Sequence, residues 1–198
     1  MNVTLLDHGA GNLHSLAKAL EAGGARVRIA ADPRAALAAD ALVLPGVGAF
    51  GAAAARVGPA REALRDALDR GLPCLAVCLG MQLLFEASDE GPGEGLGVLA
   101  GRVTRLRAAR VPQIGWNALE EARDPLFEAA SLRDAYYANS FACRPRDPAA
   151  VIAWSEHEGD RFAAAVRRGR TVGVQFHPEK SSRAGLAFVR AWLAEAAR

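Results

Sequence analysis

Four short strand-like runs alternating with helix-like segments leave this chain few folds to choose from. VTLL (3–6), ARVRIA (25–30), ALVLP (41–45) and CLAVC (74–78) read as strands. LHSLAKALEA, which Asn12 can cap and Gly23-Gly24 stop, lies between the first two as a helix. The alanine-rich stretch from Gly51 to Arg70 precedes the fourth run, and Gly58-Pro59 should break it into two helical pieces. LGMQLLFEA, directly after Cys78, reads as a further helix. Strand–helix alternation of this kind predicts βαβ units: an open, mostly parallel α/β sheet with helices on both faces.

The second half changes character after the glycine-rich loop SDEGPGEGLG (88–97). VLAGRVTRLR, VPQIGWNALEE, AYYANSFACR, AVIAWSE, RFAAAVRR and TVGVQF are strand candidates at short spacing, predicting an antiparallel or mixed addition to the sheet. DPLFEAASL (124–132) reads as one short helix. SSRAGLAFVRAWLAEAAR reads as a closing helix capped by Ser181 or Ser182. The Gly/Pro/Glu stretch is too short for an interdomain linker, so one domain over residues 1–198 is expected.

Composition removes several classes of function. Fifty-one per cent apolar residues can fill a sizeable core. A net charge of +2, scattered along the chain, does not form the clustered basic face of a nucleic-acid binder. Three cysteines without C-x-x-C spacing suit a reducing compartment and exclude a disulfide framework or a cysteine-based zinc site. No other metal-ligand set stands out. The N-terminus lacks a signal-peptide pattern and no run reaches transmembrane length, so a soluble cytoplasmic protein is expected.

In open parallel sheets ligands bind beyond the carboxyl ends of the strands. Here those ends carry unusual residues: DHGAGN (7–12), PGVGAFG (45–51), Cys78, and FHPEKSS with His177 and Glu179. A cysteine where a strand turns into a helix, with small Ala76 and Gly80 two residues to either side, has two readings. It is a buried core thiol, or a nucleophile on a tight turn that also aims backbone N–H groups into a site. His177 and Glu179 are two apart in extended chain and project to one side, so the carboxylate can orient the imidazole. A turn histidine beside a solvated glutamate is the plain alternative. PGVGAFG allows close approach of a substrate and could donate N–H groups to an oxyanion, or it is an ordinary βα turn. Neither phosphate-loop pattern is present.

CLGMQLLFE after a strand, PGVGAF upstream and FHPEKS near the C-terminus resemble the class I (triad) glutamine amidotransferases over nearly the whole chain. More narrowly, DHGAGNLHS, PGVGAFG, PQIGWN and HPEKSS resemble the glutaminase subunits of the imidazole glycerol phosphate synthases. The resemblance implies that Cys78 attacks the side-chain amide of glutamine, His177 shuttles the proton, and Glu179 orients His177. Leu79, with Gly46 or Val47, would supply oxyanion donors. Gly48, Gln82, Glu90, Ser140 and Phe141 would bind glutamine, Glu90 at the α-ammonium and Ser140 and Phe141 through backbone groups at the α-carboxylate. Asn139 stands where the family usually has histidine. No cofactor is implied. The implied partner is a (β/α)8-barrel cyclase subunit that receives the ammonia, contacted through Asn12, Trp116 and Lys180. A core position for Trp116 is the plain alternative. Two rival readings are the glutaminase of another synthase, such as pyridoxal phosphate synthase, and a non-catalytic regulatory module on the same fold. A cysteine peptidase or esterase would act without a partner.

Overall fold

The computed structural model describes residues 1–7, 9 and 13–198. In chain order its elements are β1 (Asn2–Leu6), α1 (Leu13–Ala22), β2 (Arg26–Ala30), β3 (Ala41–Leu44), α2 (Phe50–Val57), α3 (Arg61–Asp69), β4 (Cys74–Val77) and α4 (Leu79–Leu83). Then follow β5 (Ala87–Ser88), β6 (Gly101–Arg105), β7 (Gln113–Ala118), α5 (Pro125–Ala130), β8 (Asp134–Asn139) and β9 (Phe141–Pro145). The chain finishes with β10 (Val151–His157), β11 (Asp160–Arg168), β12 (Thr171–Val174) and α6 (Ser182–Ala196). The expected break of the alanine-rich stretch is a 3-10 turn at Gly58–Ala60 between α2 and α3. The proposed Asn12 cap lies outside the described residues.

Among the described residues, seven strands form one sheet in the order β10-β11-β12-β4-β3-β1-β2. Neighbours from β12 through β2 are parallel, and β10 and β11 join antiparallel at the β12 edge. The α/β class and mostly parallel sheet expected from the first half are therefore present. Of the second-half strands, β10 to β12 extend this sheet. The others pair as β5-β6-β9 and β7-β8.

The period-two alternation of each central strand divides the apolar side chains between two cores. Val3, Leu5, Val43, Leu75 and Val77 face α1, α5 and α6, where Leu16, Leu20, Phe127, Phe188 and Trp192 pack. Leu6, Leu42, Leu44, Cys74 and Ala76 face α2, α3 and α4, where Phe50, Val57, Leu64 and Met81 pack. Cys74 and Cys143 are fully buried thiols whose pKa values burial pushes up.

Three local expectations are corrected. LGMQLLFEA is helical only over Leu79–Leu83. The carbonyls of Leu83, Leu84, Phe85 and Glu86 accept from the N–H groups of Leu96, Leu99, Gly97 and Gly95, so the glycine-rich loop takes the acceptors that a longer helix needs. AYYANSFACR is two strands, not one. The chain leaves β8 at Ser140, whose carbonyl accepts from Leu106 N–H, and enters a different sheet as β9. Ser181 stands at the N-cap of α6 but makes no capping bond, because its oxygen accepts the Tyr136 N–H at 2.9 Å while its hydroxyl donates to the His177 carbonyl at 2.6 Å.

α4 packs closely on β3 at Gly80. A Cβ there would stand 2.1 Å from the Leu44 carbonyl oxygen. Gly80→Ala should lower unfolding stability by about 3 kcal/mol, measured by urea denaturation. A loss below about 1 kcal/mol would show that β3 and α4 are free to move apart.

Candidate active site

β4 is central, flanked by β3 and β12, and all three run in the same direction. Leu44 pairs with Ala76, and Val174 pairs with Val77. Continuing the register brings Gly46 and Gln175 beside Cys78, one on each side. The Cys78 N–H donates to the Val174 carbonyl at 2.6 Å, and a Cβ on Gly46 would lie 2.7 Å from the Cys78 Cβ and 2.1 Å from the Val77 oxygen. Only glycine permits the β3 loop to come this close.

Cys78 itself has φ 50° and ψ −106°. This is a costly conformation for a residue with a side chain, and it turns the chain sharply from β4 into α4. The sulfur-bearing side chain thus leaves the sheet at its carboxyl edge. Cys78 and Leu79 line a cavity with Gly46, Val47, Gly48, Gln82, Glu90, Ala138, Asn139, Ser140 and Phe141. Every oxyanion and glutamine-contact residue expected from the sequence is in this wall. Glu90, on the exposed rim, accepts the Phe50 N–H at 2.8 Å and so ties the rim to the start of α2.

His177 is 1% exposed, in the turn after β12. Its Nδ1–H donates to Glu179 Oε1 at 2.9 Å, which leaves Nε2 for the other side of the ring. Nε2 is buried without a completed hydrogen bond, and so is Glu179 Oε2. Burial by itself would lower the imidazole pKa. The neighbouring Cys78 and Glu179 outweigh it and raise the value to about 9. Cys78 is thus one of the groups that favour the charged imidazole, although Nε2 completes no hydrogen bond to it.

The backbone of His177 is clamped from β8. Its N–H donates to the Tyr136 carbonyl at 2.8 Å, and the Tyr136 N–H donates to Ser181 Oγ at 2.9 Å. Ser181 in turn bonds the His177 carbonyl, closing a ring of three residues. Tyr136 meets the edge of Trp116 at 6.3 Å between ring centroids, and Lys180 Nζ stands 5.8 Å from the Tyr136 ring. Trp116 is 57% exposed and Ile114 is 68% exposed. The open question over Trp116 is thus answered in favour of the surface. Asn12, the third expected interface residue, lies outside the described residues. Tyr136 and Ile114, not singled out from the sequence, join Trp116 here, and alternation along QIGWN already put Ile114 on the Trp116 face. Gln175 was also missed: its amide Nε2 donates to Cys78 Sγ at 3.4 Å. His14 is exposed, and His157 Nε2 bonds the Arg110 carbonyl at 2.8 Å away from the site.

The model of the family "Glutamine amidotransferase class-I" matches residues 4–195. The chain belongs to the class-I glutamine amidotransferases. It is similar to the imidazole glycerol phosphate synthase subunit HisH of Thermus thermophilus, 48% identical over 96% of this chain and 95% of that protein. The subunit of the same name from Halobacterium salinarum is 42% identical over 96% and 91%. These relatives place the chain in the HisH branch of the family. Two solved structures share the fold. One described as a glutamine amidotransferase has a TM-score of 0.77 at 21% identity, covering 99% of both chains. PurLQS from Thermotoga maritima has a TM-score of 0.76 at 18% identity, covering 98% of both.

Two outcomes test this geometry. Cys78→Gly should be more stable than Cys78→Ala by about 1 kcal/mol, because glycine relieves the positive φ. Chemical denaturation of the two variants decides it, and an Ala variant at least as stable contradicts the strain. The second concerns pH. A folded-state pKa raised from 6.5 to about 9 means that protonated His177 stabilises fully below pH 6.5, and that this is lost as pH rises through about 9. Glu179→Gln removes one cause of the elevation. Its melting temperature should fall below that of the parent at low pH, with the gap closing toward pH 9 and above. A gap constant with pH contradicts the pairing.

Proposed function

We propose that residues 1–198 form a single glutaminase domain that hydrolyses glutamine and delivers ammonia to a (β/α)8-barrel cyclase, as the glutaminase subunit of an imidazole glycerol phosphate synthase in histidine biosynthesis. The observation that carries this reading is the strained Cys78 at the floor of the glycine-walled cavity, in electrostatic range of an imidazole whose far nitrogen is held by Glu179. The names of the HisH relatives support the synthase rather than another amidotransferase.

In this mechanism His177 Nε2 takes the thiol proton, and the Cys78 sulfur forms a bond to the side-chain amide carbon of glutamine. Leu79 N–H, with Gly46 or Val47 N–H, faces the oxygen that gains charge. The C–N bond breaks as His177 returns the proton to nitrogen, and ammonia leaves. Water then adds to the γ-glutamyl thioester while His177 accepts its proton. The C–S bond breaks, releasing glutamate and the thiol. Glu179 fixes the tautomer and stabilises the imidazolium. Glu90 meets the α-ammonium, backbone groups of Ser140 and Phe141 meet the α-carboxylate, and Gly48 and Gln82 complete the pocket. Both N–H groups of Gln82 are taken, by the Phe141 carbonyl at 3.2 Å and by Gln175 Oε1 at 3.4 Å, so its role toward substrate is that of an acceptor.

The cyclase docks on the face with Trp116 and Lys180, and Asn12, outside the described residues, is the third residue expected to contact it. Exposed tryptophan is a common interface anchor, and the ring through Tyr136 and Ser181 joins this face to the His177 backbone. Ammonia joins a phosphoribosyl-carrying nucleotide in the barrel, giving imidazole glycerol phosphate and an aminoimidazole carboxamide ribotide. No described helix is long and apolar enough to cross a membrane, and the subunit works in the cytoplasm.

Glutamate release by the purified chain, alone and with the cyclase plus its nucleotide ligand, tests the reading. Low activity alone, strong stimulation in the complex and loss in Cys78→Ala are expected. Equal activity without the partner would favour an autonomous hydrolase.

A further inference from the structure

A run of carboxamides leads from the cavity wall, at Asn139 and Gln82, to the fully buried Gln175, and its direction has a chemical consequence. Asn139 Nδ2 donates to the Phe141 carbonyl at 3.0 Å. Gln82 Nε2 donates to the same carbonyl at 3.2 Å and to Gln175 Oε1 at 3.4 Å. Gln175 Nε2 then reaches Cys78 Sγ at 3.4 Å. The nitrogen and oxygen of an amide side chain are assigned from the network around them. Here the network begins at a backbone carbonyl, which can only accept. Phe141 O therefore requires the nitrogen of Gln82. That nitrogen requires the oxygen of Gln175, and the remaining end of Gln175, toward the sulfur, is a donor. The order of polarity runs from a fixed backbone atom to the nucleophile.

We infer that Gln175 is a catalytic donor that holds the Cys78 sulfur as thiolate, with its direction imposed by Phe141 O through Gln82. A thiol sulfur is a weak acceptor, whereas a thiolate forms a charge-assisted bond. The contact therefore favours the charged form that attacks carbon. Gln175 is suited to this by burial: it is 0% exposed, its backbone N–H is tied to the Ala164 carbonyl at 2.8 Å, and water does not compete for the sulfur from that side. His177 approaches the same sulfur from the turn after β12. The sulfur thus has two stabilising neighbours two residues apart in sequence, and only one of them exchanges protons. In the position of Gln175, an apolar residue would leave His177 alone to hold the charge, and a carboxylate would oppose it.

This inference rests on Cys78 being the nucleophile of the proposed glutaminase, and its test is separable from that reading. The rate of Cys78 alkylation by iodoacetamide at neutral pH, in which the thiolate displaces iodide, reports on the sulfur without glutamine or a partner. It is read on the Cys78 peptide by mass spectrometry, in the full-length chain. Gln175→Met keeps the length and the packing, and Gln175→Glu keeps the shape. Alkylation should fall about tenfold in Gln175→Met, the factor given by losing a hydrogen bond to a charged group, and further in Gln175→Glu. In the stimulated assay kcat should fall with KM for glutamine little changed. Circular dichroism and melting curves identify folded variants. If either folded variant is alkylated as fast as the parent, the inference is overturned while the glutaminase reading stands. If the parent releases no glutamate with the cyclase, or Cys78→Ala still does, the glutaminase reading itself fails.

Discussion

Parallel pairing of β3, β4 and β12 is the constraint from which the site follows. Three neighbouring strands running the same way end at one edge of the sheet, and their register determines which loop residues become neighbours. Gly46 comes from the loop after β3, Cys78 from the turn after β4, and Gln175 with His177 from the chain after β12. Residues almost a hundred positions apart meet because backbone ladders count them into place. The apolar alternation that makes these strands central also buries both of their faces, so the register cannot slip by one residue without exposing a core.

The edge thus formed concentrates polar and strained groups that a plain core would not tolerate. Cys78 has positive φ, Gly46 has no room for a methyl group, and His177 and Gln175 are both fully or almost fully buried polar residues. Each is compensated locally. Glu179 partners the imidazole, Gln82 bonds both Gln175 and the Phe141 carbonyl, and the clamp through Tyr136 and Ser181 holds the histidine backbone. The same clamp ends at an exposed aromatic face, where Trp116, Tyr136 and Lys180 meet. The proposed catalytic geometry and the proposed docking face are therefore neighbours, a few hydrogen bonds apart.

Much of this was legible in the residue string, and the rest was hidden for identifiable reasons. The βα alternation of the first half fixes the parallel sheet because β1, β3 and β4 are short, buried, mainly apolar runs and β2 is an alternating edge strand. Strand-end position was enough to single out Cys78, His177 and Glu179. The length of α4 was not legible, because the loop at 95–99 supplies its N–H groups to carbonyls after Leu83 through contacts that local propensity does not contain. The break at Ser140 was hidden likewise, since both sides of it are good strand sequence and only the choice of partner differs. Ser181 looked like a cap because serine at a helix start normally is one, but the Tyr136 N–H takes its oxygen instead. Gln175 escaped notice because a glutamine inside an apolar strand reads as an ordinary polar interruption until its register beside Cys78 is known.

The account depends on one sulfur lying between His177 and Gln175 at the edge of β4. A crystal structure of the protein after reaction with an electrophilic glutamine analogue, such as a diazoketone, addresses this directly. The expected result is a single covalent bond on Cys78 Sγ, with His177 Nε2 and Gln175 Nε2 both within hydrogen-bonding distance of the adduct and the α-amino group at Glu90. An adduct on Cys74 or Cys143, or a Cys78 sulfur turned into the apolar core away from the imidazole, would contradict it.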